Sequence, residues 1–199
     1  MEYIYEERNM LPKTFCRELI EKFESDSRKE EGTTQGGTVL KIKKCTDLNI
    51  ALYADWELER NRIDKVFRTA FRNYQNNLKL NVFGEEKAYI VDQLFLGKNI
   101  RRSDFQIGRY GVGGYFKWHV DYVHCEDRMC NFIVYLNDHE ACTEFLNGKK
   151  IKPEAGKIVF FPTTWVHAHC GQTIEKGDKY MVTSFIHSDH TNERYTPPL

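Results

Sequence analysis

The chain has 199 residues, and its 29 lysines and arginines balance 29 aspartates and glutamates, so the formal net charge is zero. A neutral chain gives no electrostatic argument for a nucleic-acid interface or for binding to an anionic membrane. It has no apolar run of membrane-spanning length, and its acidic start is unlike a signal or transit peptide. We therefore expect a soluble, cytoplasmic protein that folds as a single domain over residues 1–199.

The first part of the chain, residues 1–85, carries the patterns of helices. A helix is predicted to begin at Pro12, because proline is favoured in the first turn and Phe15 and Leu19 follow at helical spacing. A longer amphipathic helix is predicted from about residue 55 to residue 78. We expect this part to form a helical support for the rest of the chain.

Two shorter features separate these helices. Residues 25–38 are charged and then rich in glycine and threonine, a composition that indicates a loop. A short strand is predicted at residues 39–42, Val-Leu-Lys-Ile. Neither feature points to a function by itself.

From Lys87 onward the pattern changes to short alternating segments bounded by glycine, proline, asparagine and aspartate. Many short strands at this spacing predict two facing antiparallel sheets. The predicted fold is therefore α+β with a mainly β core: a double-stranded β-helix, or jelly roll, over residues 86–190, with the N-terminal helices packed on one sheet. The strands are predicted near residues 88–96, 102–110, 115–121, 130–137, 143–147, 157–161, 165–170 and 178–187.

The six cysteines include no Cys-x-x-Cys pair, and without a secretory signal we expect reduced thiols. Two histidines and three cysteines crowd residues 124–142, so a structural zinc site is an alternative there. Their spacing matches no standard zinc pattern. This region is therefore a secondary candidate.

The main candidate for a metal site is His119-Val120-Asp121. Side chains two residues apart on a strand point to the same face, so His119 and Asp121 can share one metal ion. A histidine from a neighbouring strand would complete two imidazoles and one carboxylate, a set that suits Fe(II) and leaves coordination positions open. A second such motif, His187-Ser188-Asp189, is followed only by a tail, and we expect His187 to be a surface residue.

The third ligand should come from a later strand. Residues 160–171 offer two histidines, His167 and His169, again two positions apart and so on one face of a strand. The pattern alone leaves both open.

Residues 110–121, Tyr-Gly-Val-Gly-Gly-Tyr-Phe-Lys-Trp-His-Val-Asp, closely resemble the metal-binding stretch of prolyl 4-hydroxylases, which are iron(II)/2-oxoglutarate-dependent oxygenases. The family pattern is His-x-Asp, a distal histidine, and a lysine or arginine at the tenth residue after it. His169 has Lys179 at that position, whereas His167 has Gly177. The resemblance therefore implies His169 as the third ligand.

Lys179 lies on the same strand face as Met181 and Thr183 in the predicted last strand. That face is otherwise apolar, and an unpaired buried ammonium is unfavourable. The distal carboxylate of 2-oxoglutarate would pair with it through a charge-assisted hydrogen bond, with Thr183 adding another. The alternative is a lysine that extends to solvent from the mouth of the barrel.

The resemblance also implies the chemistry. Fe(II), 2-oxoglutarate and O2 would be required, with ascorbate as an optional addition, and 2-oxoglutarate would be decarboxylated to succinate as a C–H bond is hydroxylated. Tyr135 would help to hold the distal carboxylate, and Tyr110 would lie near the metal-bound end. The implied acceptor is a prolyl residue in a peptide or protein. A free amino acid, another side chain, a nucleobase, or a metal- or sugar-binding jelly roll without turnover are the alternatives.

Overall fold

The structure, a computed structural model, describes residues 3–33, 42–95, 100–122 and 127–188. The α-helices of the described residues are α1 (Lys13–Ser25), α2 (Glu57–Asn77) and α3 (Tyr89–Leu94), and a π-helix (Leu78–Phe83) continues α2. Single 3-10 turns occupy Ile50–Leu52, Ala54–Trp56, Glu85–Lys87 and Trp165–His167. None of these helices combines the length and apolar character needed to cross a membrane.

The strands form two antiparallel sheets. They are β1 (Tyr5–Glu7), β2 (Glu30–Glu31), β3 (Lys43–Lys44), β4 (Thr46–Asn49), β5 (Ile100–Arg102), β6 (Gln106–Tyr110), β7 (Tyr115–His119), β8 (Arg128–Tyr135), β9 (Thr143–Phe145), β10 (Lys150–Ile151), β11 (Ile158–Pro162), β12 (His169–Gly171) and β13 (Lys179–Ser188).

Within the described residues, the larger sheet has the order β1-β11-β8-β13-β6-β4-β2, with β5 also paired to β13, and the smaller sheet has the order β10-β9-β12-β7-β3. Two facing antiparallel sheets of this kind match the predicted double-stranded β-helix. The N-terminal part is more than a helical support, because it adds β1, β2 and β4 to one sheet and β3 to the other. This interleaving supports our proposal that residues 1–85 and 86–190 form one domain.

The helices pack on the outer face of the larger sheet, where a cluster of aromatic rings forms the main core. The ring of Phe160 on β11 stacks on Tyr74 of α2 with centroids 5.2 Å apart and lies 5.1 Å from Phe132 on β8. Phe67 of α2 meets Phe132 edge to face at 5.0 Å. Burial of these rings contributes a large share of the hydrophobic free energy of folding. A second core cluster, which includes Tyr135, lies on the other side of the sheet.

Two predicted strands differ from the structure. Residues 89–94 form α3 and not a strand, because Val91 and Phe95 lie one helical turn apart and are both buried. The predicted strand at 165–170 is a 3-10 turn followed by β12, which begins only at His169. The strand predicted at 39–42 lies, apart from Ile42, outside the described residues.

Replacement of Phe160 by alanine tests this packing. We expect Phe160→Ala to lower the free energy of unfolding by about 3–5 kcal/mol, because it removes a buried ring that contacts both the helices and the sheet. Leu58→Ala on the exposed face of α2, where Leu58 is 69% exposed, is the control and should change stability by less than about 0.5 kcal/mol. Urea unfolding measures both, and equal effects would contradict the described helix–sheet contact.

Candidate metal centre and adjoining cavity

Three side chains converge where two strands of the smaller sheet pair. His119 ends β7 and His169 begins β12, and the two residues are direct partners in the antiparallel register. Asp121 follows β7 by two residues and is buried. One ligand atom from each of the three lies within 4.8 Å of the other two. His167, on the 3-10 turn before β12, is not part of this group.

Each imidazole is oriented by a backbone carbonyl. Nδ1 of His119 lies 2.7 Å from the carbonyl oxygen of Lys117, and Nδ1 of His169 lies 3.1 Å from that of His167. A carbonyl only accepts a hydrogen bond, so Nδ1 carries the proton in each ring and Nε2 keeps its lone pair. The two Nε2 atoms lie 3.6 Å from Oδ1 and Oδ2 of Asp121 respectively. This is the arrangement of histidines that bind a metal through Nε2.

Burial and the neighbouring polar groups together set the protonation states of His169 and Asp121. Burial lowers the pKa of His169 to about 4, in spite of the neighbouring Asp121, so this imidazole is neutral at pH 7. Burial opposes ionisation of Asp121, but the two histidines and a hydrogen bond from Nδ2 of Asn131 hold its pKa below the usual range. A neutral imidazole and an ionised carboxylate are the forms that bind a metal. Two imidazoles and one carboxylate therefore fit Fe(II).

The position of His119 in the cavity depends on a β-bulge. The register passes from His169 opposite His119 to Gly171 opposite Phe116, so β7 has an extra residue at this point. As a result, Phe116 and His119 both line the cavity although they are three residues apart. Their rings stack with centroids 3.5 Å apart, which fixes the plane of the imidazole.

The metal group lies on the wall of a cavity of about 430 Å³ between the two sheets. Lys179 on β13 also lines the cavity and is only 1% exposed. Its Nζ lies 3.3 Å from the carbonyl oxygen of Ala141, and it forms no ion pair with an acidic residue in the described part of the chain. Burial lowers the pKa of Lys179 to about 8. The amine therefore faces inward and does not extend to solvent.

Glycine at position 171 keeps this amine accessible. A Cβ atom there would lie 3.8 Å from Nζ of Lys179, so any longer side chain at Gly171 would extend into the space around the ammonium. Both residues line the same cavity. The combination leaves room for an anionic group beside Lys179.

The other predicted cosubstrate residues occupy different positions. Tyr110 and Thr183 line the cavity, and the ring of Tyr110 has its centroid 5.3 Å from Nζ of Lys179. Tyr135 is fully buried, and its hydroxyl lies 2.7 Å from Oγ1 of Thr143. Of these two residues, Thr143 lines the cavity and Tyr135 does not, so Tyr135 lies behind Thr143. The sequence analysis gave Thr143 no role in the site, although it lies on a predicted strand.

A second part of the wall was also missed, because it comes from the N-terminal half. Lys43 on β3 and Asp47 on β4 line the cavity and form a buried ion pair of 2.5 Å. The loop and strand patterns around them carried no sign that this segment reaches the cavity. The cavity is thus built from both halves of the chain.

The secondary candidates do not form metal sites in the described residues. The prediction that His187 lies on the surface was wrong, because it is buried on β13 and its Nε2 is hydrogen-bonded to Ser103; Asp189 lies outside the described residues. Part of the crowded region 124–142 also lies outside them. Cys130 and Cys142 of that region lie within the described residues, and both are free thiols as predicted.

Comparison with known proteins agrees with this geometry. Residues 105–187 match the family model of the 2OG-Fe(II) oxygenase superfamily, a family that uses Fe(II), 2-oxoglutarate and O2. This confirms the resemblance found in the sequence. No curated protein matches the chain.

Three solved structures are similar to the chain over 94% of its length. The viral collagen prolyl hydroxylase of Paramecium Bursaria Chlorella virus-1, in its 2OG complex, has 20% identity, 97% of its own chain covered and a TM-score of 0.65. A Pseudomonas putida prolyl-4-hydroxylase has 12% identity, 94% coverage and a TM-score of 0.67. A Trichoplax adhaerens prolyl hydroxylase, in complex with a hypoxia inducible factor peptide fragment, has 13% identity, 84% coverage and a TM-score of 0.68. At these identities the likeness shows the fold, a double-stranded β-helix.

Separate replacement of the two neighbouring histidines tests the metal centre. We expect His169→Ala to weaken Mn(II) binding more than about 100-fold, because it removes a ligand atom and not an outer hydrogen bond. His167→Ala, two residues earlier, should leave the affinity within about tenfold, since only its carbonyl contacts the site. Titration followed by electron paramagnetic resonance measures both, and the reverse order of effects would assign the third ligand to His167.

Proposed function

We propose that this chain, which carries a 2OG-Fe(II) oxygenase segment over residues 105–187, hydroxylates a prolyl residue in a peptide or protein as 2-oxoglutarate is decarboxylated to succinate. The observation that supports this most directly is that one cavity holds both a two-histidine, one-carboxylate group and a buried ammonium with no acidic partner among the described residues. A metal-binding jelly roll without turnover would have no use for such an ammonium.

In this proposal His119, Asp121 and His169 hold Fe(II). The bound iron and 2-oxoglutarate supply the oxygen chemistry, and the chain supplies orientation and a dry cavity. The backbone carbonyls that fix both imidazoles, and Asn131 that donates to Asp121, keep the three ligand atoms aimed at one point before the metal arrives.

Lys179 and its neighbours would bind the cosubstrate. The ammonium of Lys179 donates a charge-assisted hydrogen bond to the distal carboxylate, which removes the energetic penalty of its unpaired burial. Thr143 and Thr183 are polar residues of the same cavity wall, with Thr183 four residues further along β13. Tyr135 then acts indirectly, because its hydroxyl holds that of Thr143. The ring of Tyr110 lies 5.3 Å from Nζ of Lys179, and its hydroxyl is also within electrostatic reach of Asp121, so Tyr110 would lie between the two ends of the cosubstrate.

The acceptor would enter at the metal end of the cavity. Val120 and Tyr122 line the cavity there and are partly exposed, so they can contact a bound peptide. Ile133, Met181 and Phe116 make the interior apolar, which excludes water from the reacting C–H bond. The structurally similar proteins are prolyl hydroxylases, and one of them is in complex with a peptide fragment, which supports a prolyl peptide over a free amino acid or a nucleobase.

Turnover of 2-oxoglutarate tests the proposed reaction. When the protein is purified anaerobically and then given Fe(II), 2-oxoglutarate and air, we expect succinate to form slowly without an acceptor and faster with a proline-containing peptide library. Mass spectrometry should find peptides heavier by one oxygen atom. His119→Ala is the control and should form no succinate. Intact iron binding without any succinate would instead favour a binding protein.

The titration of Lys179 gives a pH test of the cosubstrate site. The amine of the free protein loses its proton as the pH rises through about 8, so the affinity for 2-oxoglutarate should fall about tenfold per pH unit above that value. Lys179→Ala should have weak affinity at every pH and normal metal binding. Lys179→Arg stays charged, so its affinity should not fall between pH 8 and 9.5. Calorimetry on the Mn(II) protein measures these values, and unchanged affinity in Lys179→Ala would place the carboxylate elsewhere.

A further inference from the structure

Four polar side chains lie together at the wall of the cavity. Nζ of Lys43 donates to Oδ2 of Asp47 at 2.5 Å, and Sγ of Cys45 donates to Oδ1 of the same carboxylate at 3.2 Å. Tyr110 belongs to the same buried cluster as Cys45, and a Cβ atom at Gly108, beside Asp47, would lie 3.8 Å from its ring. The thiol of Cys45 is close enough to affect the Tyr110 hydroxyl electrostatically. All four side chains are buried. The first three come from the N-terminal half of the chain, outside the segment that matches the oxygenase family.

Two glycines make room for this chain of hydrogen bonds. Gly108 on β6 is the register partner of Asp47, and a Cβ atom there would lie 2.9 Å from Oδ1 of Asp47. A Cβ atom at Gly32 would lie 2.1 Å from Sγ of Cys45. A side chain at either position would push the carboxylate or the thiol away from its partner. The local backbone is thus compatible with the network only because these two positions lack side chains.

The hydrogen-bond donors and acceptors of the network can be assigned. Burial raises the pKa of Cys45 to about 12 and raises that of Tyr110 well above its usual value, so both groups remain protonated donors. Burial opposes the charge on Lys43, but Asp47 raises its pKa, and the two form an ion pair. Because the thiol donates to the carboxylate, its sulfur can accept a hydrogen bond, and the protonated Tyr110 hydroxyl is a neighbouring donor. Hydrogen bonds aligned in this way strengthen one another.

Tyr110 is the member of the network that lies next to the proposed cosubstrate. Its ring is 5.3 Å from Nζ of Lys179, and Asp121 of the metal group is close enough to affect its hydroxyl electrostatically. It therefore lies between the two ends of the proposed 2-oxoglutarate site. A side chain held in place before the ligand binds loses less conformational freedom on binding.

We propose that Lys43, Cys45 and Asp47 are positioning residues that hold Tyr110 in the orientation needed to bind 2-oxoglutarate. This inference rests on the proposed function. It makes the N-terminal strands part of cosubstrate recognition, and it assigns the buried ion pair a role beyond joining β3 of the smaller sheet to β4 of the larger one.

A double-mutant cycle tests the proposal. The dissociation constant of 2-oxoglutarate is measured by calorimetry on the Mn(II)-loaded protein, which binds the cosubstrate without turnover. We expect Tyr110→Phe to weaken binding roughly tenfold and Cys45→Ala roughly three- to tenfold. The double variant should bind no more weakly than Tyr110→Phe alone, because Cys45 acts through the hydroxyl that is already missing.

Further variants separate positioning from a general loss of structure. Asp47→Asn removes the charge at constant size and should weaken binding as Cys45→Ala does, whereas Cys45→Ser keeps a donor and an acceptor and should restore binding to within about twofold of wild type. Cys16→Ala is the matched control, since Cys16 is another buried free thiol but lies in the helix-side core. It should leave 2-oxoglutarate binding unchanged.

The possible results distinguish failure of the positioning role from failure of the proposed function. Effects of Cys45→Ala and Tyr110→Phe that multiply in the double variant, or normal binding by both Cys45→Ala and Asp47→Asn, would overturn the positioning role while leaving the proposed function in place. Wild-type protein that binds Mn(II) but not 2-oxoglutarate would overturn both. Should the alanine variant fail to fold, Asp47→Asn in a cycle with Tyr110→Phe decides in its place.

Discussion

The candidate site depends on one pairing in the smaller sheet, that of His119 with His169. These two residues are fifty positions apart in the sequence, and only the antiparallel register of β7 with β12 brings their rings together. Asp121 is placed beside both rings by its position in the sequence, because it follows His119 by two residues and its carboxylate lies close to both Nε2 atoms. A register slip of one residue would turn the second histidine to the opposite face of the sheet.

The site also depends on charged side chains that are buried around the cavity. Asp121, Lys179, Lys43 and Asp47 are all buried around one cavity, and their charges are compensated in three different ways. Asp121 has two imidazoles and an amide, and Lys43 has Asp47. In the described part of the chain, Lys179 has a carbonyl group and the face of the Tyr110 ring but no carboxylate. The large aromatic core on the outer face of the sheet contributes the hydrophobic stabilisation that offsets such polar burial.

Much of the fold could be predicted, because strand alternation and helical spacing are local properties of the sequence. The prediction failed where a short apolar run was ambiguous. Residues 88–96 looked like a strand, but the spacing of Val91 and Phe95 also suits a helix, and packing decided in favour of α3. The contribution of β1 to β4 to the sheets was missed for a related reason: strands of two to four residues have too few positions to show a period.

The sequence by itself determined which chemical groups are available and how closely spaced ones are oriented. Two residues on one strand face and a lysine ten positions after a histidine are visible in a linear chain, since they depend only on local geometry. Only the tertiary structure decided which distant groups share the cavity. A bulge brings Phe116 to the face of His119, Thr143 comes between Tyr135 and the cavity, and strands from the N-terminal half bring Asp47 beside Gly108. These arrangements depend on register between segments far apart in sequence, which no local pattern encodes.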